Sequence, residues 1–188
     1  GMADVEWELK SRGKTADELV QELRGPINID VGQATLQDID VDHMLCQVVA
    51  LINGESLNSE FPGSSRFQEL SARMDLQDGK LRLSPLTAQL PHASLSGEGR
   101  LYLAEGNFRA KFAARLAPGL ARVDPACRVN ERLTDIDWPV NCKGEIDGDP
   151  GSWCSIDSEE ILSDLASDEL QRKLKKEAGR WLDKIIPD

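Results

Sequence analysis

A chain of 188 residues, 40% of them hydrophobic, is long enough to bury a core and too apolar for wholesale disorder. Its net charge of −11 opposes a phosphate backbone, and no basic stripe with interleaved aromatics offsets it, which excludes nucleic-acid binding. No apolar run is long enough to span a bilayer and no signal peptide is visible, while the leading Gly1-Met2 reads as a tag scar and is set aside from fold reasoning.

Val5, Trp7 and Leu9 alternate with Glu6, Glu8 and Lys10, which predicts a half-buried strand. Thr15-Ala-Asp-Glu18 has the spacing of a capping box and opens a helix over about 15–24, with Leu19, Val20 and Leu23 as its apolar stripe. Gly25-Pro26 ends it. Ile27, Ile29 and Val31 alternate again, Gly32 permits a turn, and Ala34 and Leu36 resume the strand pattern. Asp40 or Asp42 caps a second helix over about 40–53, with Val41, Leu45, Val48, Val49 and Ile52 on one face and Asn53-Gly54 at its end. Cys46 lies on the flank of that stripe. From Glu55 to Ser65 the Gly, Pro, Ser and Asn content predicts a loop.

Strands then follow one another. Leu70, Ala72, Met74 and Leu76 share a face, Asp78-Gly79 marks a hairpin turn, Leu81 and Leu83 return, and Pro85 requires an edge or a bulge. Leu86, Ala88 and Leu90 continue the pattern. Every second residue from Ala93 gives Leu95, Gly97, Gly99, Leu101 and Leu103, against Ser94, Ser96, Glu98, Arg100 and Tyr102. After Glu105-Gly106, Phe108, Ala110, Phe112, Ala114 and Leu116 alternate with Arg109, Lys111 and their neighbours. Short connections make neighbouring strands antiparallel, so the predicted fold is α+β, a curved, groove-like antiparallel meander. Residues 118–157, rich in Pro and Asp and carrying Cys127, Cys142 and Cys154, read as an irregular segment. Helices follow over about 158–186. Asp157-Ser-Glu-Glu160 caps the first, bearing Ile161, Leu162 and Leu165, and Ser167 the second, bearing Leu170, Leu174, Trp181, Leu182 and Ile185. The basic residues of that second helix are interspersed with acids, as on a solvated face.

Chemistry is sparse. GxSxG, P-loop, HExxH and dinucleotide motifs are absent. Gly97 and Gly99 lie inside a strand pattern, where glycine marks close packing or a bend. Asp38 to Asp42 resembles the start of a calcium loop, but His43 replaces the turn glycine and Val49 the bidentate glutamate, so helix capping explains these acids better. Glu145, Asp147 and Asp149 read as solvated carboxylates, and His43 and His92 lack a Ser, Cys or Asp at any telling spacing. No catalytic residue, metal set or cofactor is expected. The cysteines favour disulfides in an oxidising compartment. The apolar sheet face has two readings: an ordinary core hidden under the chain's own helices, or a surface left open for a ligand.

Several motifs occur in a fixed order: Gly13-x-Thr15 with Leu19, Leu23 and Gly25; Gly32 followed by Asp38-Ile39-Asp40 opening a helix; Phe67-x-x-Leu70-x-Ala72 with the Gly79 turn; and Leu95-x-Gly97-x-Gly99-x-Leu101-x-Leu103. In this order they resemble the C-terminal portion of the AsmA family of Gram-negative envelope proteins, over roughly residues 5 to 116. The tail, with Cys127-Arg-Val-Asn, Trp138-Pro-Val-Asn-Cys142 and Trp153-Cys154, is similar too. Ser65 departs from the pattern, where the family often has Thr.

The resemblance implies a periplasmic body anchored upstream in the inner membrane and a part in outer-membrane biogenesis. AsmA-like proteins are similar to bridge-like lipid transfer proteins, whose sheets curl into an apolar groove. Residues 3–117 are then a β-groove domain that meets phospholipid acyl chains or other envelope lipids, without enzymatic activity. Leu70, Ala72, Met74, Leu95, Leu101, Leu103, Phe108 and Phe112 are its expected lipid-facing residues, and the two N-terminal helices could instead plug the groove. The alternative is an interaction module that docks envelope assembly proteins and binds no lipid. Four cysteines allow three connectivities. The expected pairing is Cys127–Cys142, whose loop would contribute about 3 kcal/mol by the chain-entropy model, with Cys46–Cys154 as a second pair or Cys154 free.

Overall fold

The chain divides into two compact units, Gly1–Ile156 and Asp157–Asp188. The computed structural model describes residues 2–163 and 165–167, the side chains of Asp17 and Val20 apart.

Ten strands carry the first unit: β1 (Ala3–Trp7), β2 (Gly25–Val31), β3 (Ala34–Gln37), β4 (Ser64–Phe67), β5 (Glu69–Gln77), β6 (Lys80–Gln89), β7 (Ala93–Tyr102), β8 (Asn107–Leu116), β9 (Trp138–Glu145) and β10 (Cys154–Ile156). Eight of them form one open antiparallel sheet in the order β1-β2-β5-β6-β7-β8-β9-β10, and β3 pairs with β4 as a separate ribbon. The α+β fold with a large antiparallel sheet is as the alternation predicts.

Because side chains repeat every two residues along a strand, register decides what shares a face. One transverse row runs Val31, Leu70, Ala88, Leu95 and Ala114 to Trp138. The next runs Val5, Ile29, Ala72, Leu86, Gly97, Phe112, Val140 and Ile156. A third runs Trp7, Ile27, Met74, Leu83, Gly99, Ala110, Cys142 and Cys154. A fourth joins Leu76, Leu81, Leu101 and Phe108. These rows make one apolar face, and the intervening residues make a polar one. At Ser84-Pro85 the register of β6 shifts against both β5 and β7, so the proline sits in a bulge rather than at an edge.

Residues 118–157 are more regular than their composition suggests. A 3-10 turn at Pro118–Arg122, the short helix α3 (Glu131–Thr134) and the strands β9 and β10 all fall there, and β9 is an interior strand. Trp138, Val140, Cys142 and Gly144 of β9 are the inward set, which Pro139, the cysteine and the glycine disguise as a loop.

Helix α1 is Ala16–Gln21 and α2 is Val41–Asn53. Half of the capping box forms: Thr15 Oγ1 accepts from the Glu18 N–H at 3.2 Å, whereas the Glu18 carboxylate accepts from Lys14 N at 2.7 Å, one residue before the cap, and not from Thr15. The described side chains of α1 are exposed and supply no cover for the sheet. Helix α2 is that cover. Asp40 caps it by accepting from His43 N at 2.9 Å, and Gly54 closes it at φ 68°. Leu45, Cys46, Val49 and Ala50 are buried beneath it.

The disulfides differ from the expected pairing. Cys46 bonds Cys127, and Cys142 bonds Cys154. Cys142 sits in the sheet directly opposite Cys154 across the β9–β10 ladder, and the two bond there. Cys46 faces inward from α2, where it ties the helix to the turn after the 3-10 segment. Two disulfides fit an oxidising compartment.

In the second unit, Asp157 accepts from Glu160 N at 3.1 Å and opens helical turns over 158–163 and 165–167. The helix expected from Ser167, with its basic residues, lies outside the described residues. No helix among the described residues is long and apolar enough to cross a membrane.

Candidate functional site

The apolar face is covered at one end and open at the other. Over the first two rows lie α2 and the β3–β4 ribbon. Phe67, Ala88 and Leu90 form a buried cluster there, with Ala34, Val41, Leu70, Leu86 and Leu95 packed around it. A residual cavity of about 180 Å³ remains under the cover, with Leu70, Leu95, Met44 and Phe112 in its walls.

Beyond Phe112 the described residues leave the face uncovered. An apolar cleft of about 400 Å³ opens over the third and fourth rows. Met74, Leu81, Leu83 and Leu101 form one side, Phe108, Cys142, Ile146 and Trp153 the other, and Ile39 the inner end. Its floor is the cross-strand pair Gly99 and Ala110, the smallest pair on this face. The volume falls within the usual range of small-ligand pockets. The cleft and the covered cavity share Ile39, Phe112, Cys142 and Cys154.

The glycines have distinct roles here. A Cβ at Gly97 would collide with the Lys111 carbonyl and the Phe112 ring, so the ring fills the space above that glycine. Gly144 is filled in the same way by Trp153, whose ring meets Phe108 edge-on at 5.1 Å between centroids. Gly99 instead faces the methyl group of Ala110, and both residues line the cleft.

The expected lipid-facing residues therefore divide. Met74, Leu101, Phe108 and Phe112 line the open cleft. Leu70 and Leu95 line the covered cavity, and Ala72 is buried. Leu103 lies just beyond the end of β7, is exposed, and does not line the cleft. Reading the sequence missed Ile39, Ile146 and Trp153, which only tertiary packing brings to the sheet. Alternation did mark Leu81, Leu83 and Ala110 as inward.

The other singled-out groups have structural partners. Asp40 also accepts from Gly63 N at 3.0 Å, and Ser65 joins the Ile39 carbonyl and the Val41 N–H at the start of α2. Asp149 caps a 3-10 turn through Gly151 N. His43 stacks on Phe61, and His92 Nδ1 lies 2.9 Å from Asp42 Oδ2. No described hydroxyl or thiol hydrogen-bonds to His92. Among the described residues no three His, Cys, Asp or Glu side chains are grouped to hold a metal ion.

Among the described residues the most strongly perturbed acid is Asp124, which is buried and does not line the cleft. It accepts from the backbone N–H groups of Ala126 at 2.8 Å, Asn58 at 2.8 Å and Ser59 at 2.6 Å. These bonds, that from Ala126 foremost, hold its pKa down to about 2 against the opposing effect of burial. It knots the loop over 55–63 to the turn that carries Cys127. The chain matches no protein-family model, and no curated protein or solved structure matches it.

Proposed function

We propose that this chain is a periplasmic, AsmA-like domain that holds phospholipid acyl chains in the open apolar cleft, as part of lipid transfer in outer-membrane biogenesis. The observation that carries this reading is the cleft itself: a hydrocarbon-lined trough of about 400 Å³ on a sheet face whose other half is closed by α2. Each CH₂ group withdrawn from water into it would gain about 0.8 kcal/mol, so a segment of an acyl chain is held without a polar anchor. Nothing is made or broken, and the reading needs no catalytic group. The two disulfides support an oxidising location, and the resemblance supplies the inner-membrane anchor of a longer parent chain.

Ala110→Leu tests the assignment. Ala110 stands between Cys142 and Gly99, which has no side chain, so the new side chain is expected to lie over that glycine, as Phe112 lies over Gly97. It fills the floor while preserving the strand. The variant is expected to keep its melting temperature and circular dichroism and to bind a fluorescent fatty acid at least about tenfold more weakly than the parent chain, the loss of a few buried CH₂ contacts. Equal binding by the two proteins refutes the cleft as the site.

A second reading, docking of an envelope assembly partner, is supported by β1. Among the described residues this edge strand pairs only with β2 and leaves Val5 and Trp7 exposed, Trp7 by 66%, beside a row of backbone groups with no strand partner. A pull-down that retains a partner in Ala110→Leu and loses it in Trp7→Ser favours docking.

A further inference from the structure

The polar face of the sheet carries a row of like charges. Across β6, β7, β8 and β9, Arg82 is directly opposite Arg100, Arg100 opposite Arg109, and Arg109 opposite Lys143. All four are exposed, and none forms an ion pair among the described residues. Like charges directly opposite on a sheet destabilise it. Composition does not account for the row, since the chain as a whole is strongly acidic at −11. A depression of about 340 Å³ lies along it, lined by Arg82, Arg100, Arg109 and Lys111, with Tyr102 and Glu98 at its sides. Glu98 stands opposite Lys111 in the neighbouring row, which leaves the guanidinium groups as the dominant charges.

We infer that this row is a docking surface for the phosphate headgroups of an anionic phospholipid bilayer. Three of the four cations are arginines, whose planar forks hold two oxygens of one phosphate. Strands about 4.8 Å apart let neighbouring guanidinium groups share a phosphate. Glu69 on β5 and Glu145, two residues beyond Lys143 on β9, also lie on this face, while the outward acids Asp4, Glu6 and Asp30 lie on β1 and β2, at least three strands from Arg100. That is roughly 14 Å, beyond the Debye length of about 8 Å at physiological salt. They orient the acidic half of this face away from the bilayer without cancelling the basic half. Asp75, opposite Arg82, closes the row at β5. The surface is on the other side of the sheet from the cleft and does not depend on it.

The test is co-sedimentation of the full oxidised chain with phosphatidylcholine vesicles, with and without phosphatidylglycerol. Binding is expected only with the anionic lipid and should weaken as salt is raised. Arg100→Glu with Arg109→Glu is expected to lower it at least about tenfold, at about 1 kcal/mol per charge at the surface. Arg12→Glu with Arg66→Glu, the same charge change elsewhere, is expected to leave most of it, as is Ala110→Leu. If the charge-reversed protein does not fold, Arg100→Gln with Arg109→Gln replaces it. The inference is overturned by equal vesicle binding of row variant and parent, by inorganic phosphate occupying the row while vesicles do not bind, or by preference for poly-glutamate over vesicles.

Discussion

Replacing Cys46 and Cys127 together by alanine is expected to lower the melting temperature by about 10–15 °C. The bond closes a loop across a sequence separation of 81 residues. In the chain-entropy model a loop of that length contributes about 4.5 kcal/mol, near the upper end of the usual range, and for a domain of this size each kcal/mol moves the midpoint by about 2–4 °C. Both sulfurs are buried, one under α2 and one in the turn beside Asp124, so the pair also fixes the cover over the first rows of the sheet. Removing Cys142 and Cys154 instead opens a separation of only 12 residues, for which the same model gives about 3 kcal/mol. Calorimetry of the two double variants checks the order. A smaller loss from the Cys46–Cys127 pair contradicts the assignment of that bond as the main staple.

The second large effect is at Asp124. Truncation to alanine leaves the N–H groups of Ala126, Asn58 and Ser59 without their acceptor, and the midpoint should fall by roughly 5–10 °C. The carboxylate also sets a pH dependence with a definite sign. Its folded pKa, about 2, lies below the ordinary unfolded value of about 3.9. Between those values the unfolded chain binds more protons, so this contribution is complete above about pH 4 and is lost as pH falls toward 2. Thermal melts of the parent chain should therefore steepen in acid over that window, and Asp124→Asn should remove that part of the slope. An unchanged acid profile in the variant rules out the carboxylate as the source.

Local rules made much of this fold readable in the chain. From Leu70 to Leu116 the alternation is broken within a strand only by the bulge at Ser84-Pro85 and the turns at Asp78-Gly79 and Glu105-Gly106 are chemically marked, so strand pairing follows from proximity. Asp40 and Gly54 bracket α2 for equally local reasons. The disulfides were not readable, because their pairing depends on the β9–β10 ladder and on where α2 lands, both set by long-range packing. Strand β9 was hidden since Pro139, Cys142 and Gly144 score poorly as strand residues, although every second side chain points inward. The cleft was half readable. Its leucines follow the alternation, whereas the pairing of Gly99 with Ala110 depends on register, and Trp153 and Ile146 arrive from a loop. The arginine row needed the register of four strands, since Arg82, Arg100 and Arg109 look like ordinary outward residues one strand at a time.

The most direct measurement is native mass spectrometry of the full chain purified from an oxidising compartment, with the bound material extracted and identified. Retention of the cleft as a hydrocarbon site requires phospholipid-mass adducts on the parent protein, stripped or sharply reduced in folded Ala110→Leu. A parent protein that carries no lipid and takes up none when offered phospholipid contradicts the account, and leaves the greasy end of the sheet as a seat for another protein.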